Sequence, residues 1–353
     1  MIRDILDKAL SGERLDAEDA LELFRSDEIH SIGKVADLVS KKHNSNRVYF
    51  VVNRHINPTN ICVNRCRFCA FSRSKGDVGA FELTIEDIVE KIRGAGDLKE
   101  VHIVGGLHPE WPFSYYLDML GKIKENFPGL HIKAFTAVEI DYLSRLGGLG
   151  LTETLRVLKE QGLDAMPGGG AEIFNKAVRD RLCPEKISGE RWLEIHREAH
   201  ILGIKTNATM LYGHIESYED RVDHLLRLRE LQDQTGGFQA FIPLSYHPEN
   251  TCIGGRFPSG IDDLKTIAIS RLVLDNFRHI KAYWIMLGEK LSQIALLFGA
   301  DDIDGTVIEE HITHAAGGKT ASSMDKSEII DIIKRAGKIP VERDALYNIV
   351  EIY

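Results

Sequence analysis

Residues 48–73 read VYFVVNRHINPTNICVNRCRFCAFSR. The first nine are rich in apolar, β-branched and aromatic side chains and predict a strand over 48–56, which runs straight into a polar loop carrying Cys62, Cys66 and Cys69. Further apolar runs of strand type follow at 101–104, 131–137, 163–166, 205–211, 238–244, 280–286 and, with a weaker pattern, 303–308. Between them lie amphipathic stretches at helical spacing, among them 84–93, 114–125, 151–161, 190–202 and 218–234. Strand and helix alternating in this order predict a parallel sheet. Eight such units predict an α/β protein, a (β/α)8 TIM-type barrel, with an open doubly wound sheet as the competing architecture.

Outside the barrel, residues 1–45 space Leu6, Leu10, Leu15, Leu21 and Phe24 as a helical N-terminal extension. The barrel is expected over 46–310, and 311–353 is expected to form a helical C-terminal extension packing on it. Of 353 residues, 43% are hydrophobic, and 44 basic against 53 acidic side chains leave a net charge of −9. That composition is globular, and its acidity argues against nucleic acid or an anionic membrane as partner. The start, MIRDILDKAL, lacks the apolar core of a signal peptide, and no apolar run approaches the roughly 20 residues of a membrane span. Five cysteines, an odd number, argue against a disulfide framework and for a reducing, cytoplasmic setting.

Five predicted strands end in unusual loops: NPTNIC, GGLHP, PGGG, YGHIE and YHPEN. Barrels build their sites from the loops at the carboxyl ends of strands, so these five are expected to meet at one mouth. Cys62-x-x-x-Cys66-x-x-Cys69 is the strongest chemical signal. Three thiolates on a short loop can hold three irons of a [4Fe–4S] cluster and leave the fourth open to a substrate. A structural zinc site competes with this reading but usually needs two close ligand pairs. Cys183 and Cys252 have no partner spacing and read as inert. Glu139 and Glu172 follow strands where carboxylates can accept from ribose hydroxyls; the alternative is a solvated loop charge. His214, His247, His311 and His314 are candidates for moving protons or holding a carboxylate, and a structural histidine is the alternative for each. His196 and His200 lie four apart on a predicted helix and read as structural. Asp304, Thr306 and Asn250 are candidates for holding substrate.

The cysteine loop, with aromatic Phe68 just before Cys69, resembles the signature of radical S-adenosylmethionine enzymes. Gly105-Gly106 occupies the place of that superfamily's Gly-Gly-Glu element, which receives the amino group of S-adenosylmethionine, with Leu107 standing where the glutamate is expected. Leu211-x-Gly213-x-x-Glu216 resembles its adenine-contacting element. At finer resolution, the segments 167–175, 206–216, 242–251 and 301–317 are similar to the aminofutalosine synthases of the menaquinone futalosine pathway. The cysteine loop itself is shared with cyclic dehypoxanthinylfutalosine synthase and both halves of deazaflavin F0 synthase.

The resemblance implies a [4Fe–4S] cluster on Cys62, Cys66 and Cys69, and S-adenosylmethionine consumed as a substrate. It places Phe68, Gly105, Gly106, Glu139, Glu172, Leu211 and Glu216 around that molecule, with His247 and His214 as catalytic candidates. The implied reaction adds the 5′-deoxyadenosyl radical to 3-[(1-carboxyvinyl)oxy]benzoate and yields 6-amino-6-deoxyfutalosine, methionine and bicarbonate. A low-potential electron donor such as flavodoxin or ferredoxin is implied as partner. Alternatives are cyclic dehypoxanthinylfutalosine synthase, the tyrosine-using half of F0 synthase and a non-catalytic iron–sulfur electron carrier, which would need a fourth cysteine ligand.

Overall fold

The computed structural model describes residues 2–353. The predicted first strand is one extended run broken at Val52 into β1 (Arg47–Val51) and β2 (Asn53–Ile56). β3 (Glu100–Ile103), β4 (His131–Ala134), β5 (Ala165–Met166), β6 (Lys205–Tyr212), β7 (Phe238–Ser245) and β8 (His279–Ile280) follow. Strands β2 to β8 pair in chain order, all parallel, in a curled seven-stranded sheet. The weak eighth run begins as β9 (Asp302–Gly305), and the ring closes through single bridges, Lys281 to Asp302 on one side and, beyond the strand, Arg54 to Ile308 on the other. The predicted barrel is therefore present as a radial sheet with a lightly bonded seam.

The seam is where Val52 bends. Asn53 N–H donates to Thr306 Oγ1 (3.0 Å), Thr306 Oγ1 donates to Asn53 O (2.7 Å), and Val307 N–H donates to Asn53 Oδ1 (3.0 Å). A Cβ on Gly305 would lie 2.2 Å from Val51 O, so only glycine lets the two chains approach this closely. Thr306, expected at the substrate, is thus a seam residue.

Alternation along the strands sorts the side chains. Val101, Ile103, Ile132, Ala134, Ala208, Met210 and Phe241 are buried beneath the outer helices, while His55, His102, Lys133, Asn207 and Thr209 face the barrel interior. Helices Ile85–Arg93, Ala137–Gly147 and Tyr218–Thr235 begin at Thr84, Thr136 and Ser217, each closing a reciprocal capping box with the acid three residues on. The N-terminal extension is helical as expected: Ile2–Ser11, Ala17–Arg25 and Ile29–Asn44. Buried Lys265 donates to Phe24 O and Ser26 O (3.0 and 2.8 Å) at the carboxyl end of the second, tying it to helix Gly260–Val273.

Two expectations need correction. The run 280–286 stays extended only briefly, then turns into the short helix Trp284–Leu287. The C-terminal segment contains helix Lys326–Arg335 but also a hairpin, β10 (Ile339–Arg343) and β11 (Ile349–Ile352). β10 pairs with β1 in a second sheet of order β11-β10-β1-β9, and Pro340 within it obscured the strand pattern. Among the described residues, no helix is long and apolar enough to cross a membrane.

Candidate active site

At the carboxyl ends of the strands the barrel opens into a cavity of ≈ 330 Å³. Four of the five expected loops reach it, through Asn60 and Cys62, Gly105 to Leu107, Pro167 to Gly170, and Tyr246 with His247. The fifth, YGHIE, stops short: only Leu211, before it, lines the cavity.

Cys62, Cys66 and Cys69 all line the rim, with Cys66 buried and the other two half-buried. Their loop is pinned on both sides. Cys62 N–H donates to Arg73 O (3.0 Å), Val63 N–H to Leu107 O (3.0 Å), and Arg67 N–H to Leu182 O (2.8 Å). Burial pushes both Cys62 and Cys66 upward, the latter to about 12, so thiolates here require a cation against them. Gly105 and Gly106 pass directly beneath: a Cβ on Gly106 would sit 2.1 Å from Ile61 O.

Of the other expected residues, Phe68, Glu139, Glu172, His247 and Asp304 also line the cavity. Glu139 closes the capping box of its helix by accepting from Thr136 N–H (2.7 Å), and its other oxygen accepts from Gly105 N–H (3.1 Å). Burial outweighs these bonds and lifts its carboxyl to about 7. Glu172, held at φ +47° after Gly168-Gly-Gly, pairs with half-buried Lys186 at 2.6 Å, and Lys186 lies 4.9 Å above the Phe68 ring. His247 Nε2–H donates to Met286 O (3.0 Å), while its Nδ1 is buried without a partner.

Six expected residues are elsewhere, among them His311, which is exposed, and His314, which bonds Glu310 (3.0 Å) and Thr320 O (2.8 Å). Glu216 is sealed in its own loop, accepting from Gly213 N–H (2.5 Å), His214 N–H (2.9 Å) and Arg221 (2.9 Å). Burial works to raise it, but His214 and Arg221 outweigh that and bring it to about 2. His214 donates to Leu211 O (3.0 Å) and rests on Glu216 with no side-chain exposure, so it ties the turn rather than facing ligand. Asn250 is exposed and donates to Ala315 O (3.0 Å); Thr306 belongs to the seam. His196 and His200, read as structural, bond Thr206 away from the cavity.

Around Asp304 the structure adds a cavity floor of residues that were not expected at the site. Glu100 and Lys133 pair at 2.6 Å, Lys281 and Asp304 at 2.5 Å, with His55, His102 and Tyr283 beside them. The signal was present as charged residues at alternate positions inside apolar strands, EVHI, HIKA and DIDG. Such charges are expensive to bury unless paired or used.

Two family models match the chain, the radical SAM superfamily over residues 56–228 and the CofH/MqnC C-terminal region over 235–353. The chain is 48% identical to aminodeoxyfutalosine synthase of Thermus thermophilus, over 99% of its own length and 96% of that protein's. The chain belongs to the radical SAM superfamily. Within it, the chain is also 42% identical to aminodeoxyfutalosine synthase of Streptomyces coelicolor, covering 99% and 94% of the two chains. It is 46% identical to the 5-amino-6-(D-ribitylamino)uracil–L-tyrosine 4-hydroxyphenyl transferase of Methanopyrus kandleri, covering 87% and 85%. Among solved structures, methylornithine synthase (PylB) superposes with a TM-score of 0.72 at 19% identity, covering 94% and 95%. That likeness is one of fold.

Radical SAM enzymes use a [4Fe–4S] cluster and S-adenosylmethionine, and the residues at the rim fit that pair. Three thiols without disulfide partners share one wall, two of them costly to ionise unless a cationic centre meets them.

Proposed function

We propose that this chain is an adenosyl-transferring enzyme that joins the 5′-deoxyadenosyl group of S-adenosylmethionine to 3-[(1-carboxyvinyl)oxy]benzoate. Methionine and bicarbonate leave, and 6-amino-6-deoxyfutalosine is formed. The observation that carries this reading is the 48% identity, along nearly all of both chains, to an aminodeoxyfutalosine synthase. A cavity with thiols at its rim and polar groups at its floor supports it, because the two reactants differ in the same sense.

In this reading Cys62, Cys66 and Cys69 hold the cluster. Bound there, the cluster supplies the single electron that cleaves S-adenosylmethionine to methionine and the adenosyl radical. Gly105, Gly106, Phe68, Glu139, Glu172 and Leu211 bind S-adenosylmethionine, with the two carboxylates available to its hydroxyl and amino groups. Leu211, Ile242 and Leu244 form an apolar wall that keeps water from the reacting atoms. His247 moves a proton. Its Nε2–H is committed to Met286 O, so the lone pair lies at the unpartnered Nδ1, and burial, more than its neighbours, lowers its pKa and keeps it neutral. It accepts the proton released when water hydrates the departing carboxyl carbon to bicarbonate, the aryl group having moved from the ether oxygen to the carbon that carried the carboxylate while the purine amino group stays free. The same lone pair makes His247 a poor partner for a substrate carboxylate.

A small low-potential carrier such as flavodoxin or ferredoxin supplies the electron, and the five cysteines, all free of disulfides, support a cytoplasmic setting. The test is to offer reductant and S-adenosylmethionine to the anaerobically reconstituted protein with each candidate substrate in turn. Mass spectrometry should find 6-amino-6-deoxyfutalosine from the enol-ether benzoate. A product instead from tyrosine with 5-amino-6-(D-ribitylamino)uracil would move the chain to the activity named for the Methanopyrus kandleri relative.

A further inference from the structure

The floor of the cavity holds more polar side chains than its ion pairs use. Lys133 with Glu100, Lys281 with Asp304, and Arg343 with Asp302 match one to one, and buried Glu310 rests against His314. Left over are His55 on β2 and His102 on β3, aligned in register with ring centroids 4.5 Å apart. Nε2 of each is buried and has no hydrogen-bond partner. Buried polar atoms are rarely left so unless a ligand or water completes them. The Tyr283 ring stacks on His55 at 6.5 Å, and Asp304 Oδ2 stands 3.9 Å from His55 Nε2, too far for a hydrogen bond but near enough to hold an imidazolium.

The charges around His55 come from several elements. Asp304, Glu310 and Glu100 favour the protonated ring, while Lys281 opposes it; His102, Lys133 and Tyr283 complete the surroundings. Burial is the strongest influence and keeps the ring neutral. One more carboxylate against the ring would reverse that balance. The proposed substrate carries such a group: its reacting double bond belongs near the cysteine rim, so its ring carboxylate reaches deepest.

We propose that His55, backed by Asp304 and flanked by His102 and Tyr283, is the subsite for the aromatic carboxylate of the substrate, and that filling it brings one proton from solvent onto His55. This rests on the function proposed above. The bound state then has an imidazolium between two carboxylates, Asp304 and the ligand's, and the site selects carboxylated arenes over neutral ones. No bond of the ligand changes in this step; the proton comes from buffer and returns to it on release.

The test is calorimetric titration of the cluster-loaded protein with 3-[(1-carboxyvinyl)oxy]benzoate, with S-adenosylmethionine present and reductant withheld, in two buffers of different ionisation enthalpy. At about pH 8, about one proton should be taken up per ligand bound, and Kd should rise toward tenfold per pH unit above neutrality. The carboxamide analogue of the ring acid should bind at least about tenfold more weakly, which is one factor of ten in affinity, and without proton uptake. His55→Asn should lose the uptake and show the same weakening. Wild-type binding with no proton uptake and a Kd unchanged between about pH 6.5 and 8.5 would overturn the proposal even if no variant folds. Formation of 6-amino-6-deoxyfutalosine alongside that result would leave the proposed function standing, whereas no binding of the benzoate at all would remove both.

Discussion

Glu139 concentrates much of the chemistry of the rim in one side chain. It caps a helix, receives Gly105 N–H and is pushed up to about 7, chiefly by burial. An exposed glutamate titrates near ~4.3, so the fold favours the protonated form. Its contribution to stability is complete below that value and is lost as pH rises through 7. The Tm of the wild type should therefore fall between about pH 5 and 8, and that of Glu139→Gln should fall less over the same range. S-adenosylmethionine carries positive charge, which favours the ionised carboxylate, so its affinity should rise as pH climbs toward 7 and flatten above it. A calorimetric pH series on wild type and Glu139→Gln reads both; equal profiles would remove Glu139 from the ligand. The cysteines make a simpler prediction. Cys62→Ala, Cys66→Ala or Cys69→Ala should each lose most iron and sulfide on reconstitution, whereas Cys183→Ala should keep them, because two thiolates retain a cube poorly.

At the scale of elements, the cysteine loop depends on what lies under it. Gly106→Ala would drive a Cβ into backbone, Ile61 O at 2.1 Å, with no flexible side chain to give way. Iron content should fall sharply while far-UV circular dichroism stays close to wild type; full iron retention would contradict the packing. How legible these elements were in the sequence follows from their spacing. Strands β3 and β4 could be read because their outward positions, Val101 and Ile103, Ile132 and Ala134, are apolar at every second residue, and the three thiols because their spacing serves little but metal. YGHIE misled for a local reason: Glu216 could satisfy two backbone N–H groups and Arg221 within its own turn, a choice that spacing does not reveal. Asn250 and Thr306 likewise found main-chain partners. β10 was missed because a strand recruited by β1 from nearly 300 positions away leaves only a short, proline-containing run.

Across the whole molecule, the buried ion pairs of the floor connect the barrel to the second sheet, since Asp302 at the start of β9 binds Arg343 of β10 at 2.9 Å and Tyr347 at 2.7 Å. Removing one member of the Lys133–Glu100 pair should cost about 3–5 kcal/mol, and replacing both by apolar residues should cost less. Urea melts of Lys133→Met, Glu100→Leu and the Lys133→Met/Glu100→Leu double variant measure this; a double variant as unstable as the sum of its singles would mean that the pair is not coupled. The barrel thus sets a reducing centre at its mouth over a floor built for an anion, and it is the destination of the adenosyl group that distinguishes joining it to a substrate from using it to abstract hydrogen. The direct measurement supplies S-adenosylmethionine labelled at the ribosyl 5′ carbon, with 3-[(1-carboxyvinyl)oxy]benzoate and reductant, and follows the label by mass spectrometry. The label should appear in 6-amino-6-deoxyfutalosine, about one per methionine released; label recovered in free 5′-deoxyadenosine, with none in a larger product, would contradict adenosyl transfer.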